Sequence, residues 1–162
     1  KRGNSMTILV LHGPNLNRLG ERDPLHYGRV TLEQIDNGLK QRAKSLGLNL
    51  ICVQSNQEGI LVDFLQNHGQ EAQGIIINPG ALTHYGLSLR DALEDTNKPI
   101  IEVHLSNIYA REEWRKTSVI APVARGQISG LGWRGYLLAL DALAQILGET
   151  ALADAIGGED LL

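Results

Sequence analysis

The 162-residue chain holds one cysteine, one methionine and one phenylalanine, and aromatic residues make up only 4% of it. A lone cysteine, Cys52, excludes an intrachain disulfide and a cysteine-based metal cluster. It lies in the apolar run LNLICV and reads as a buried core residue. A reducing, cytoplasmic setting is the expectation that fits. No apolar stretch approaches the roughly 20 residues that a membrane-spanning helix needs. No secretory leader is recognisable. An excess of positive charge is missing too. The formal net charge is −3, which argues against a broad basic surface for nucleic acid.

Several familiar chemical signatures are also absent. There is no GxxxxGKS/T phosphate loop, no GxSxG elbow, no HExxH and no EF-hand. No GxGxxG follows the first apolar run. Gly130, Gly132 and Gly135 keep that spacing, but they stand before the last helix, without an acidic partner downstream. They read as a turn and helix entry. His12, His84 and His104 are not joined by carboxylates or cysteines at ligand spacing, so no metal is expected.

What is present is ordinary globular material, 43% hydrophobic and 20% charged, enough for about one domain. Five residues, KRGNS, precede Met6 and read as an appended remnant. Residues 6–149 read as a single domain and 150–162 as a C-terminal tail. Within the domain, short apolar runs alternate with amphipathic segments. Strands are expected at Thr7–His12, in LNLICVQ, at Gly74–Asn78, at Pro99–His104 and near Gly126–Ser129. Helices are expected from Thr31 to Leu46, Glu58 to His68, Tyr85 to Asp95, Arg111 to Lys116 and Gly135 to Leu147. Thr31 and Gln34 have capping-box spacing, and Gly47 and Gly148 look like stops. Gly13 to about Val30 reads as one long loop. Near-continuous Val/Ile/Leu strands signal burial on both faces, hence a parallel sheet between two helix layers. The expectation is a doubly wound α/β domain.

In such a fold the ligand sits beyond the carboxyl ends of the strands. Four of those ends are polar: His12–Asn17, Gln54–Gly59, Asn78–His84 and Glu102–Asn107. Any one of them is ordinary loop chemistry. Four at one sheet edge describe a pocket for a small hydroxylated or anionic ligand. Glu102 and His104 are two apart on one strand and so share a face. A carboxylate beside an imidazole fixes its tautomer and suits a general acid. Arg111 and Arg115, four apart, would share a helix face and form a cationic rim. The loop RLGERDPLHYG carries a tyrosine, Tyr27, among arginines. A phenol ionises near pH 10, and one nearby cation moves an acidic group by about 1 to 3 units. Two arginines are a sensible number for making a phenol a base. Acid–base work by a tyrosine and a histidine is the chemistry left standing. A non-catalytic module of the same fold, such as a flavin carrier or a phospho-receiver, is the rival reading. The first loop is not a Ser/Thr-rich phosphate cradle, and an acidic receiver cluster is missing.

The motifs LVLHGPNLNRLGERDPLHYG, QSNQEG, IIINPGALTHYGLSLRDAL, IEVHLSNIYAREEWR and ISGLGWRGY occur in order. Together they make the chain resemble type II 3-dehydroquinate dehydratase from Met6 to about Gly148. The resemblance implies a flavodoxin-like three-layer sandwich with a five-stranded parallel sheet. It implies reversible dehydration of 3-dehydroquinate to 3-dehydroshikimate in the shikimate pathway, with no metal, cofactor or Schiff base. It implies a homododecamer, a tetramer of trimers. By position, Tyr27 matches the general base, Arg22 the lid-loop arginine beside it, and Asn15 the holder of a water at the enolate oxygen. His104 matches the general acid, with Glu102 behind it. Asn78, His84, Leu105, Ser106 and Arg115 match substrate-holding positions. Arg111 matches a second arginine near the tyrosine, and Asp91 the residue that reaches a neighbouring subunit's site. Gln57, Tyr85, Tyr109 and Trp133 depart from or vary within the pattern, none at a proposed catalytic role.

Overall fold

A computed structural model describes residues 5–156. Lys1 to Asn4 of the expected remnant and residues 157–162 of the expected tail lie outside the described residues. Five strands, β1 (Thr7–His12), β2 (Asn49–Gln54), β3 (Gly74–Asn78), β4 (Ile100–His104) and β5 (Gly126–Ser129), form one sheet in the order β2-β1-β3-β4-β5. All four pairings are parallel. This is the flavodoxin-like winding, whose switch point lies between β1 and β3.

The helices are α1 (Pro24–Tyr27), α2 (Leu32–Ser45), α3 (Glu58–His68), α4 (Leu87–Asp95) and α5 (Arg134–Ile156). α2 and α5 cover one face of the sheet, and α3 and α4 the other. The pleat decides which strand residue goes where. Ile8 and Val10 of β1 pack with Leu39, Tyr136 and Leu143. Leu9 and Leu11, between them in sequence, pack with Leu61, Leu65 and Leu89. All four β1 positions are fully buried. Truncating such a residue to alanine typically costs about 2–5 kcal/mol, so the two faces together fix the register.

Local signals account for most boundaries. Thr31 and Gln34 close the expected capping box, with backbone N–H to side-chain oxygen distances of 3.0 and 3.2 Å. Three differences from expectation stand out here. The first loop contains α1 and a 3-10 turn at Leu16–Arg18. Asp23 caps α1 by accepting the Leu25 N–H at 2.9 Å, and Pro24 begins it. α4 starts at Leu87 rather than Tyr85, because a 3-10 turn, Gly80–His84, comes first. α5 runs through Gly148 to Ile156, beyond the expected stop, so part of the expected tail is helix. Glycine ends a helix when it turns left-handed, and Gly148 does not take a positive φ. Cys52 is half-buried on β2, an edge strand, and burial pushes its thiol pKa up to about 12.

The switch point is where the chain is tightest. The Gly13 N–H donates to the Asn78 carbonyl at 2.8 Å. A Cβ on Gly13 would stand 2.2 Å from the Pro79 carbonyl oxygen. Gly80 takes φ 59° beside Pro14. Both glycines let the β1 and β3 ends touch, and that contact is one wall of the cavity described next.

Candidate active site

A cavity of about 140 Å³ opens at the carboxyl ends of β1, β3 and β4. Asn15, Arg22, Tyr27, Asn78, His84, His104, Leu105, Ser106, Arg111 and Arg115 all line it. These residues come from five separated segments of the chain. The sheet brings them together.

Tyr27 ends α1, and its ring lies between two guanidiniums. Arg22 Cζ stands 3.8 Å from the ring centroid, and Arg111 Cζ 5.3 Å. Arg111 Nη1 donates to the Tyr27 hydroxyl at 2.9 Å and to Ser106 Oγ at 3.2 Å. One guanidinium thus stands over the ring and the other bonds its oxygen.

His104 and Glu102 share a face of β4, as alternation predicts. Their Nε2–Oε2 separation is 3.4 Å, an electrostatic contact rather than an aligned hydrogen bond. Glu102 is fully buried and accepts from Thr83 Oγ1 and Ser118 Oγ, each at 2.6 Å, and from Gln127 Nε2. Burial raises its carboxyl pKa, but His104, Ser118 and Thr83 outweigh burial and the net shift is downward. An ionised carboxylate is thus fixed behind the imidazole. Among the described residues, His104 Nε2 and Arg111 Nε are the buried side-chain nitrogens without a hydrogen-bond partner. Both belong to cavity-lining residues.

The remaining walls are held from outside. Asn15 is left-handed, with φ 68°, and its N–H donates to Asn56 Oδ1 at 3.0 Å. His84 Nδ1 donates to the Thr117 carbonyl at 2.7 Å, and its ring meets Trp114 edge-on at 5.1 Å. A ring protonated on Nδ1 alone presents Nε2 as an acceptor. Asn78 is almost fully buried, and its Oδ1 accepts the Gly80 N–H at 3.1 Å.

Two expectations need correction. Only three strand ends line the cavity. The β2 end lies beyond β1 and serves as a prop: Asn56 holds Asn15, and Gln54 Nε2 donates to the Gly13 carbonyl at 3.2 Å. Arg111 and Arg115 do not share one helix face. Arg111 is extended between two 3-10 turns, Ile108–Ala110 and Glu113–Lys116. Four residues of extended and 3-10 chain still bring both guanidiniums to the rim, where Arg115 pairs with Glu112. Asp91 sits on the exposed face of α4 and does not line this chain's cavity. Trp114, one of two tryptophans, lines it unannounced. Its scarcity was the one available signal.

Comparison with known proteins decides what this arrangement belongs to. The family model for dehydroquinase class II matches residues 6–144. The chain belongs to the class II dehydroquinase family. It is a hydro-lyase of that family. The 3-dehydroquinate dehydratase of Roseiflexus castenholzii is 65% identical over 144 residues, covering 89% of this chain and 92% of that protein. The 3-dehydroquinate dehydratase of Bacillus subtilis is 53% identical over 133 residues, covering 82% and 90%. Among solved structures, type II dehydroquinase from Butyrivibrio crossotus superposes with a TM-score of 0.84 at 45% identity. That match covers 87% of this chain and 99% of that one. The type II dehydroquinase from Propionibacterium acnes gives 0.83 at 41% identity, covering 88% and 99%. No helix among the described residues is long and apolar enough to cross a membrane.

Proposed function

We propose that this cavity converts 3-dehydroquinate reversibly to 3-dehydroshikimate in the shikimate pathway, by general acid–base catalysis through an enolate. The observation that carries the mechanism is one cavity lined by a phenol between two guanidiniums and an imidazole backed by a buried carboxylate. Tyr27, as phenolate, takes the C2 proton next to the ketone. Arg22 and Arg111 stabilise the charge that the phenol carries before that transfer. A water held by Asn15 stabilises the enolate oxygen, an oxyanion-type device. His104 then protonates the departing C1 hydroxyl. With Nε2 turned to Glu102, Nδ1 is the ring nitrogen left for that task. The proton from C2 and the hydroxyl from C1 together make the water released. Asn78, His84, Leu105, Ser106 and Arg115 hold the substrate's hydroxyls and carboxylate.

The chain acts, in this reading, in the cytoplasm as a single-domain subunit of a homododecamer, a tetramer of trimers. Asp91 on exposed α4 is then placed to reach a neighbour's cavity. The purified chain supplied with 3-dehydroquinate gives the rising ultraviolet absorbance of a conjugated enone, and light scattering gives the mass of twelve chains. Absence of the enone signal sinks the activity, and a monomer mass sinks the assembly.

Arg22 separates binding from chemistry. Arg22→Gln lowers kcat roughly tenfold or more, the effect of losing at least about 1.4 kcal/mol of transition-state stabilisation, and moves KM little. Steady-state kinetics read the split. A raised KM at normal kcat would instead make Arg22 a plain carboxylate binder.

A further inference from the structure

We propose that Thr83 and Ser118 are positioning residues for the general acid: their hydroxyls pin one oxygen of Glu102 so that the other faces His104, and the strap that carries Ser118 fixes His84 as well. The inference rests on reading His104 as the acid that protonates the departing hydroxyl. Neither Thr83 nor Ser118 lines the cavity.

Thr83 is fully buried on the 3-10 turn Gly80–His84, and Ser118 is half-buried just after the turn Glu113–Lys116. Each hydroxyl oxygen stands 2.6 Å from Glu102 Oε1, and the two stand 2.9 Å from each other. A hydroxyl has one hydrogen and two acceptor sites. Both acceptor sites of Ser118 Oγ are taken, by the Ile120 N–H at 3.1 Å and the Ala121 N–H at 2.9 Å. Ser118 therefore does not accept from Thr83, and the Thr83 hydrogen goes to the carboxylate. A charged acceptor makes the stronger bond, so the Ser118 hydrogen goes there too. Oε1 thus holds two hydrogens from two separate segments of the chain.

That leaves Oε2 to face the site. It accepts from Gln127, the register partner of Glu102 on β5, and stands 3.4 Å from His104 Nε2. The carboxylate cannot turn Oε2 away from the imidazole without breaking both bonds at Oε1. The same strap reaches a second wall of the cavity. The Val119 N–H donates to the Thr83 carbonyl at 2.7 Å, and the Thr117 carbonyl accepts from His84 Nδ1 at 2.7 Å. Three consecutive residues, Thr117, Ser118 and Val119, therefore grip His84, Glu102 and Thr83 in turn. The Thr83 hydroxyl serves the acid alone. Ser118 serves the acid and also keeps the strap in place behind His84.

Thr83→Val keeps the branched shape and removes the hydroxyl. Its kcat for 3-dehydroquinate falls about three- to tenfold, the worth of one hydrogen bond, while KM moves by less than about twofold. Thr83→Ser, which restores a hydroxyl, recovers most of that loss. In a His104→Ala background Thr83→Val lowers kcat no further, because the residue acts only through the imidazole. Ser118→Ala lowers kcat in the same way and also raises KM about two- to threefold, since it loosens the strap behind His84. Additive falls in kcat in the Thr83–His104 double variant overturn the inference, and so does a Thr83→Ser as slow as Thr83→Val. A drop in melting temperature at unchanged kcat overturns it too, the mark of an ordinary core threonine. Should Thr83→Val fail to fold, Ser118→Ala decides the same question: an unchanged kcat there overturns the inference. An unchanged KM in Ser118→Ala overturns the link to His84. An unchanged kcat in His104→Ala overturns the reading of the site and this inference with it. A normal kcat in Thr83→Val beside a slow His104→Ala overturns only the inference.

Discussion

Tyr27→Phe lowers turnover of 3-dehydroquinate roughly a thousandfold and leaves its binding within about twofold, within the typical span for loss of a general base. The substitution removes one oxygen. The ring stays, so the stacking of Arg22 at 3.8 Å stays, and α1 keeps its place over the cavity. Arg111 loses one acceptor but keeps Ser106. The site therefore retains its shape and its cations and loses only the atom proposed to take the proton. Enone absorbance measures turnover, and calorimetry with the slow variant measures binding. Near-wild-type turnover would show that the base is another group. A loss of binding as large as the loss of rate would make Tyr27 a substrate contact instead.

His104→Ala costs roughly a hundredfold or more in kcat, again within the usual range for a general acid. Hydroxide is a poor leaving group, and the step that expels it should suffer most. In the proposed mechanism, proton removal by Tyr27 needs no help from His104. Substrate recovered from deuterated water therefore carries deuterium at C2 faster than product forms. Nuclear magnetic resonance of the recovered substrate reads this directly. If exchange and product formation fall together, His104 serves proton removal and its assignment to the leaving group is wrong. An unchanged rate removes it from the mechanism.

The two residues behind these predictions differ in how visibly the sequence announced them. His104 follows Glu102 by two positions at the end of an apolar run, and strand alternation alone puts them on one face. Tyr27 was conspicuous only as a rare ring among arginines. Its partner Arg111 stands 84 positions away, and nothing local links them. The strand order decides that the segments after β1 and β4 meet, and a lone chain without the resemblance does not reveal that order. The same holds for His12, fully buried at the end of β1, which meets Asp36 of α2 at 2.8 Å and Tyr136 of α5 at 2.9 Å. Short-range signals were more dependable. The capping box of α2 is written in Thr31 and Gln34. Asp23-Pro24 carried the cap and first-position proline of α1, but four residues are too few to show a helical period. Gly148 misled because a glycine inside a periodic apolar pattern can stay helical when packing favours it. Arg111 and Arg115 misled in the same way, since spacing of four means a shared face only where a helix forms.

The bond from Arg111 to Tyr27 joins two parts of the molecule that fold for different reasons. Arg111 belongs to the segment fixed by β4, and Tyr27 to the first loop. The loop cannot swing away without taking the phenol off its guanidinium. In the proposed mechanism, closing the loop over the cavity and arming the base would therefore be one event, an interlock. With the loop swung out, the phenol would lose that hydrogen bond. Loop substitutions that touch neither Tyr27 nor Arg22 would then act on rate through the fraction of time the interlock is made.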